Sequence, residues 1–408
     1  MALKFPIFMD SQSTTPMDPR VLETMLPYFT EKYGHPASRN HSFGWEAESA
    51  VDKAREQVAK LIGARDPKEV IFTSGGTESI NLAIKGVAEM YREKGNHIVT
   101  SVIDQRAGLD VCRRLERQGC QITYVPVGPD GMLDVEEIRK ALTDKTILIS
   151  VMFANNEIGT IQPIPEIGKV AKEKGIIFHC DATQAVGKIP VDVESMGIDL
   201  LSCTAHLVYG PKGVGALYVR RKNPRVRIAP LVDGGGHERG MRSGTVPVPL
   251  AVGFGKAAEI CMEVMPEESA RLKTLRDKLQ DRILSSLDEV YLNGHPEKRL
   301  PHNLNLSFAY VEGESVLMGL NKELAIASGS ACTSATLEPS YVIAALGVGS
   351  ELAHSSIRFA LHRLTTEEEV DYVAERTIEV VKRLREMSPL YELAKEGVDI
   401  KSIRWKAE

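Results

Sequence analysis

The stretch Thr204-Ala205-His206-Leu207-Val208-Tyr209-Gly210-Pro211-Lys212-Gly213 lies between two apolar runs, Ile198 to Cys203 and Val214 to Val219. Both runs read as buried strands, and Tyr209-Gly210-Pro211 reads as the tight turn between them. A Thr and a His at the end of a buried strand, just ahead of a turn, mark a site rather than core.

Upstream of this stretch, strands and helices alternate. Trp45 to Gly63 reads as a helix, with Ala47, Val51, Ala54, Val58 and Leu61 on one face. Strands are expected at Val70–Phe72, His97–Ser101, Ile122–Val127, Ile147–Phe153 and Ile176–Cys180, with helices at Ser79–Lys94, Ala107–Gln118, Val135–Leu142 and Ile164–Lys174. This order predicts an α/β fold with a mostly parallel sheet between helices. Near residue 264 the pattern changes. A charged helical segment from about Pro266 to Leu287 precedes short runs at Asn303–Phe308 and Leu324–Ala327 and helices at Tyr341–Leu346 and Thr366–Met387. The expected organisation is a large domain, residues 16–264, and a smaller α+β domain built from residues 1–15 and 265–408.

Composition sets broad bounds. A chain of 408 residues, 43% hydrophobic and 26% charged, is an ordinary globular protein of about two domains. A net charge of −5 offers no bulk attraction to nucleic acid, and direct nucleic-acid binding is not expected. No apolar run approaches a membrane span, and Met1–Pro6 is interrupted too early for a signal peptide, so a cytoplasmic location is expected. The six cysteines form no C-x-x-C pair, and a chain this large needs no disulfide framework. Cys332 stands apart, in the small, polar run Ser328-Gly329-Ser330-Ala331-Cys332-Thr333-Ser334-Ala335. That setting suits a working thiol, which needs access and backbone freedom.

Several motifs carry chemistry. Thr73-Ser74-Gly75-Gly76-Thr77-Glu78-Ser79 follows a strand and opens a helix, where free N–H groups and the helix dipole favour an anion. Asp181, at a strand end, can pair with a protonated ring nitrogen or cap a following helix. A metal site at His179-Cys180-Asp181 is not expected, because strand neighbours point to opposite faces. Asn155-Asn156-Glu157-Ile158-Gly159 reads as a ligand contact or a turn. In the Gly234–Thr245 loop, Arg239 and Arg242 among many glycines fit an anion. Arg358, between apolar residues, expects a partner such as a substrate carboxylate.

Together these motifs, from Asp10-Ser11-Gln12-Ser13-Thr14-Thr15-Pro16 onward, resemble the cysteine desulfurases of the housekeeping iron–sulfur type. These are pyridoxal-phosphate (PLP) enzymes of the class-V, fold-type I aminotransferase group. The resemblance implies PLP as cofactor, its phosphate held by Gly76, Thr77, Thr204 and His206, with Thr245 reaching in from the partner of a homodimer. It implies that Asp181 pairs with the pyridinium nitrogen, that Gln184 and Asn156 bond the ring hydroxyl side with Asn156 also near substrate, and that Arg358 holds the cysteine carboxylate. Cys332 takes the substrate sulfur as a persulfide. The expected partner is an iron–sulfur scaffold or another sulfur acceptor, met through the C-terminal tail around Trp405; no membrane is involved.

The chain departs from the family at the pocket. Where the family has the Lys that forms the Schiff base, this chain has Leu207, which can neither form the adduct nor carry a proton. Lys212, five residues on, sits where the family also has Lys and is not expected to take its place. Gln105, in Asp104-Gln105-Arg106, replaces a ring-stacking, titrating His; His35 and Phe153 replace the family's usual Asn and His. The leading expectation is therefore a catalytically impaired homologue, a pseudoenzyme acting as a persulfide carrier or scaffold in iron–sulfur or thiolation pathways. The alternatives are an active desulfurase with non-covalent PLP and a pocket repurposed for another anionic ligand.

Overall fold

The fold is described from a computed structural model, over residues 3–328 and 339–396. Cys332, most of its surrounding motif and Trp405 lie outside the described residues. The predicted strands form one seven-stranded sheet in the order Val70–Thr73, Gly215–Val219, Leu200–Thr204, Ile177–Asp181, Thr146–Met152, His97–Ser101, Gln121–Val125. Gly215–Val219 runs antiparallel to both its neighbours, and the other strands all point one way.

Side-chain alternation sorts the strands into two cores. Val70, Phe72, Phe178, Leu201 and Ala216 face the Ser42–Leu61 and Ile164–Lys174 helices. Ile71, Ile177, Leu200 and Leu217 face the Gly76–Met90 and Arg106–Glu116 helices. These strands are buried on both sides, as βαβ crossovers require.

A second sheet, in the order Ala327–Ser328, Ser356–Ala360, Asn303–Phe308, Val290–Leu292, is antiparallel. Its core gathers Leu304, Leu306, Ile357 and Phe359 with Val370 and Val373 of the Glu367–Glu386 helix and with Ile7 and Met9. Two sequence expectations change here. The Leu324–Ala327 run divides into two short strands, Leu324–Ala325 and Ala327–Ser328, that pair in different sheets. The helix expected from about Pro266 instead spans Val248–Ser286 without a break, and the 264/265 boundary falls inside it. Pro suits a helix start because its missing N–H is not needed there. Here Ala251, Phe254 and Cys261 anchor the helix in one core and Leu272, Leu279 and Ile283 in the other, which offsets one lost hydrogen bond.

Gly215 shows how tightly the sheet edge meets the Gly75 turn. Gly215 pairs with both Thr73 and Thr204. A Cβ there would lie 2.7 Å from Gly75 Cα and 2.8 Å from the Cys203 carbonyl oxygen. Backbone atoms do not swing aside, so Gly215→Ala is expected to cost about 1–3 kcal/mol. Urea denaturation of the variant against the parent measures it; an unchanged midpoint would contradict this packing.

Candidate active site at the carboxyl edge of the sheet

Because all strands but one share a direction, Thr73, Ser101, Met152, Asp181 and Thr204 end along one edge. Each lies in, or within three residues of, a motif picked out in the sequence. Carboxyl ends of parallel strands are where such sheets bind ligands.

Asp181 is 5% exposed. Its Oδ1 accepts the Thr183 N–H at 3.0 Å, and its Oδ2 is buried without a partner. Burial pushes its pKa up to about 6. Asp181 caps no helix, since turns follow it. Asp104, buried on the same edge, is pushed up to about 7, mainly by burial and in part by the charge of Asp181. Its oxygens are occupied: Oδ1 accepts the Met152 N–H at 2.7 Å and Oδ2 the Thr100 hydroxyl at 2.6 Å. His179 bonds Ser150 at 2.8 Å and Ser202 at 2.9 Å through its two ring nitrogens, and burial lowers its pKa to about 3. It is a neutral core residue.

Other buried polar atoms on this edge also lack partners: Asn156 Oδ1, Thr183 Oγ1 and Gln12 Nε2. The Thr183 side chain favours the ionised form of Asp181 without reaching hydrogen-bond geometry. The Gln184 amide donates to the Gln12 carbonyl at 3.1 Å. The two asparagines divide the roles the sequence left open. Asn155 builds the turn, accepting from Glu157 N–H at 2.8 Å and donating to the Ile103 carbonyl at 2.9 Å. Asn156 keeps its side-chain oxygen, Oδ1, free.

The candidate anion cradle lies at the start of the Gly76–Met90 helix. A cavity of about 360 Å³ lies there, lined by Ser13, Thr14, Ser74–Glu78, His206, Lys212 and Gly213. A Cβ on Gly76 would stand 2.8 Å from Thr183 Cγ2, so a side chain would fill the cradle. Thr204 is buried beside it, its Oγ1 4.0 Å from where a Gly75 Cβ would lie. His206 approaches Thr14 Oγ1 at 3.3 Å, and burial, with the Lys212 charge, lowers its pKa. Thr77 sits at the exposed rim. Thr245 does not line this cavity; it is exposed and meets His35 at 3.3 Å. The loop arginines have internal partners instead of a free anion. Arg242 pairs with Glu78 at 2.9 Å, and Arg239 donates to the Val70 carbonyl at 3.0 Å.

Leu207 closes a single 3₁₀ turn, Ala205–Leu207, and is buried. Ala205 and Val208 belong to the large core, whereas Leu207 belongs to no apolar cluster. The turn is clamped from outside. Tyr209, at φ +63, has two cations over its ring, Lys188 Nζ at 4.1 Å and the Arg363 guanidinium at 4.0 Å from the ring centre. Its hydroxyl accepts the Arg363 N–H at 2.7 Å, and Arg363 bridges Glu268 and Asp18. Burial pushes the Lys188 pKa down to about 8. The Thr15 hydroxyl donates to the His206 carbonyl at 2.8 Å.

Arg358 carries a partner the sequence reading did not identify. Its Nη2 bonds Asp10 at 2.6 Å and Ser13 at 2.9 Å, and its Nη1 bonds the Asn156 carbonyl at 2.9 Å. Its Nε remains buried and unpartnered. Residues on both sides of positions 329–338 are tied to the site. Ala327 pairs with Arg358; the Ser340 hydroxyl donates to buried Glu157; the Tyr341 hydroxyl donates to the Asp104 carbonyl at 2.7 Å. Gln105 begins the Arg106–Glu116 helix without a side-chain cap, and Arg106 lies 4.7 Å over the Tyr341 ring. Sequence reasoning missed Asp10, Gln12, Ser13, Thr14 and Thr183 as site residues. The unbroken polar run Asp10–Thr15 ahead of Pro16 was the available signal.

These residues fit PLP: an unpartnered carboxylate oxygen, free amide and hydroxyl groups, and a glycine cradle at a helix start. Residue 207 provides no amine for a covalent link. Residues 7–373 match the Aminotransferase class-V family model. The chain is 57% identical over 400 residues to cysteine desulfurase IscS of Rickettsia felis, covering 98% of this chain and 97% of that one. Identity to the Rickettsia conorii IscS is 57% over 403 residues, covering 99% and 98%. Among solved structures, a NifS-like protein superposes with TM-score 0.85 at 38% identity, covering 93% of this chain and 100% of that one. SspA in complex with cysteine gives 0.77 at 35%, covering 87% and 98%.

The raised pKa of Asp181 has a testable sign. In the unfolded chain it ionises near 3.8, and in the ligand-free fold near 6. Stability is thus lost as pH rises between these values, and the full cost persists above them. Asp181→Asn is expected to stabilise the ligand-free protein by roughly 3 kcal/mol at pH 8 and not below pH 4. Denaturation at the two pH values, without PLP, measures this; equal gains at both would refute it.

Proposed function

The chain belongs to the class-V aminotransferase family alongside the cysteine desulfurases, and we propose that it is a PLP-binding, catalytically impaired member that acts as a persulfide sulfur carrier or scaffold. The iron–sulfur and thiolation pathways are its proposed setting. Leu207 is the observation that carries this reading. It is buried at the edge where Asp181, Asn156 and Thr183 leave polar atoms free, and it brings neither an amine nor a proton.

When bound, PLP supplies an electron sink for a carbanion on the substrate. Asp181 Oδ2, ionised, accepts from the ring nitrogen and offsets its own burial cost. The helix start at Gly76, with Thr77, Thr204 and His206, holds the phosphate. Gln184 and Asn156 orient the ring, and Asn156 and Arg358 receive the substrate carboxylate, Arg358 through its free Nε. At 207 no group takes up or returns a proton, and Gln105 does not titrate. Loss of a general acid–base costs about 10²–10⁴ in rate. For carriage, the Cys332 thiolate attacks the outer sulfur of a donor persulfide. The donor S–S bond breaks, the donor leaves as a thiol, and Cys332 becomes the persulfide.

A homodimer is part of the proposal: Thr245 is exposed and outside its own chain's cavity, as a residue serving a partner must be. A second reading, an active desulfurase with non-covalent PLP, is favoured by the unpartnered Asp181 Oδ2.

Leu207→Lys decides between them. The parent is expected to release sulfide and alanine from L-cysteine at least about 10²-fold more slowly than Leu207→Lys. Only the variant should give a borohydride-reducible PLP adduct at residue 207. Parent turnover equal to the variant's would remove the impaired reading and leave the second. If Cys332→Ser accepts persulfide sulfur as well as the parent does, the carrier role fails.

A further inference from the structure

We propose that Lys212 is the cation that retains the phosphate group of the ligand, doing by ionic contact what the covalent link does in relatives with Lys at position 207. This rests on the reading that the cradle binds PLP.

The charges around the cavity single out Lys212. Glu78 is occupied, accepting from Ser74 N–H at 2.7 Å and paired with Arg242 at 2.9 Å. His206 is held toward its neutral form by burial and by the Lys212 charge. Lys212 is exposed, lines the cavity, and among the described residues makes no ion pair or hydrogen bond. The neutral contributors are also in place: the start of a 15-residue helix and the buried, unpartnered Thr183 hydroxyl beside Gly76.

Position argues for an ionic role over a covalent one. Asp181, which marks the ring-nitrogen end of the ligand, does not line the Lys212 cavity; Gly75 and Gly76, which mark the phosphate end, do. Lys212 also has a fixed backbone. It follows buried Pro211 and precedes Gly213, at φ +91, between the paired strands Leu200–Thr204 and Gly215–Val219. A phosphate held by an exposed ammonium is screened by salt, whereas a covalent link is not.

The test is equilibrium dialysis of the full-length protein with PLP, pyridoxal and inorganic phosphate, at low and high NaCl. Lys212→Met is expected to weaken PLP binding about tenfold and flatten its salt dependence. Pyridoxal, lacking the phosphate, should bind parent and variant alike, and Lys212→Arg should retain most PLP affinity. Equal PLP affinity in parent and Lys212→Met would overturn the proposal. So would borohydride fixing PLP to Lys212, detected by mass spectrometry, because the contact would then be covalent. Phosphate binding that depends on Lys212, with no PLP binding, would refute the PLP reading and support Lys212 as the anion clamp. A parent that binds neither ligand would refute both.

Discussion

One oxygen of Asp181 sits in a nearly dry place with nothing to bond. Leaving a buried polar group unpaired costs free energy, and leaving a charged one so costs more. The chain does not relieve this by moving a donor in, although Gln12, Asn156 and Thr183 also keep unpaired atoms on the same edge. The contrast with Asp104 is informative. That carboxyl is equally buried and fully bonded by backbone and hydroxyl donors, so it fastens strand ends together. Asp181 keeps one oxygen that no donor of the described residues reaches. The sheet, its shared strand direction and the turns along one edge bring that oxygen to the same edge as the glycine turn at the start of the Gly76–Met90 helix.

Much of this was legible in the sequence. Short apolar runs, with helical spacing between them, marked the large sheet, because both signals depend on neighbours close in the chain. His97–Ser101, Ile164–Lys174 and Asn303–Phe308 fall where the sequence places them. The glycine-rich strand-to-helix turn and Asp181 were legible for the same reason. What the sequence hid was pairing over long separations. Asp10 meets Arg358 across almost the whole chain, and Arg242 meets Glu78 across the large domain, so both arginines looked available for ligands. The long helix was misread at Pro266, a local signal overruled by packing at both ends. Cys332, which family resemblance makes central, lies outside the described residues.

Arg358 is held in an internal network. With Asp10 already on its guanidinium, any carboxylate reaching Arg358 would either displace an internal partner or bind only through Nε. Charge-assisted pairs are the stronger class of hydrogen bond, so displacement sets a threshold for carboxylate binding. The neighbouring Ser13 and the Asn156 carbonyl hold the guanidinium plane in place, which keeps the remaining N–H pointed in one direction.

The Tyr209 clamp has a consequence for how the sequence can drift. The turn that carries residue 207 is held by Thr15, Asp18, Lys188 and Arg363, and none of those contacts passes through the side chain at 207. Folding therefore places little demand on that position beyond modest size and apolar reach. The turn would thus keep its outer contacts whichever side chain of similar size stood at 207.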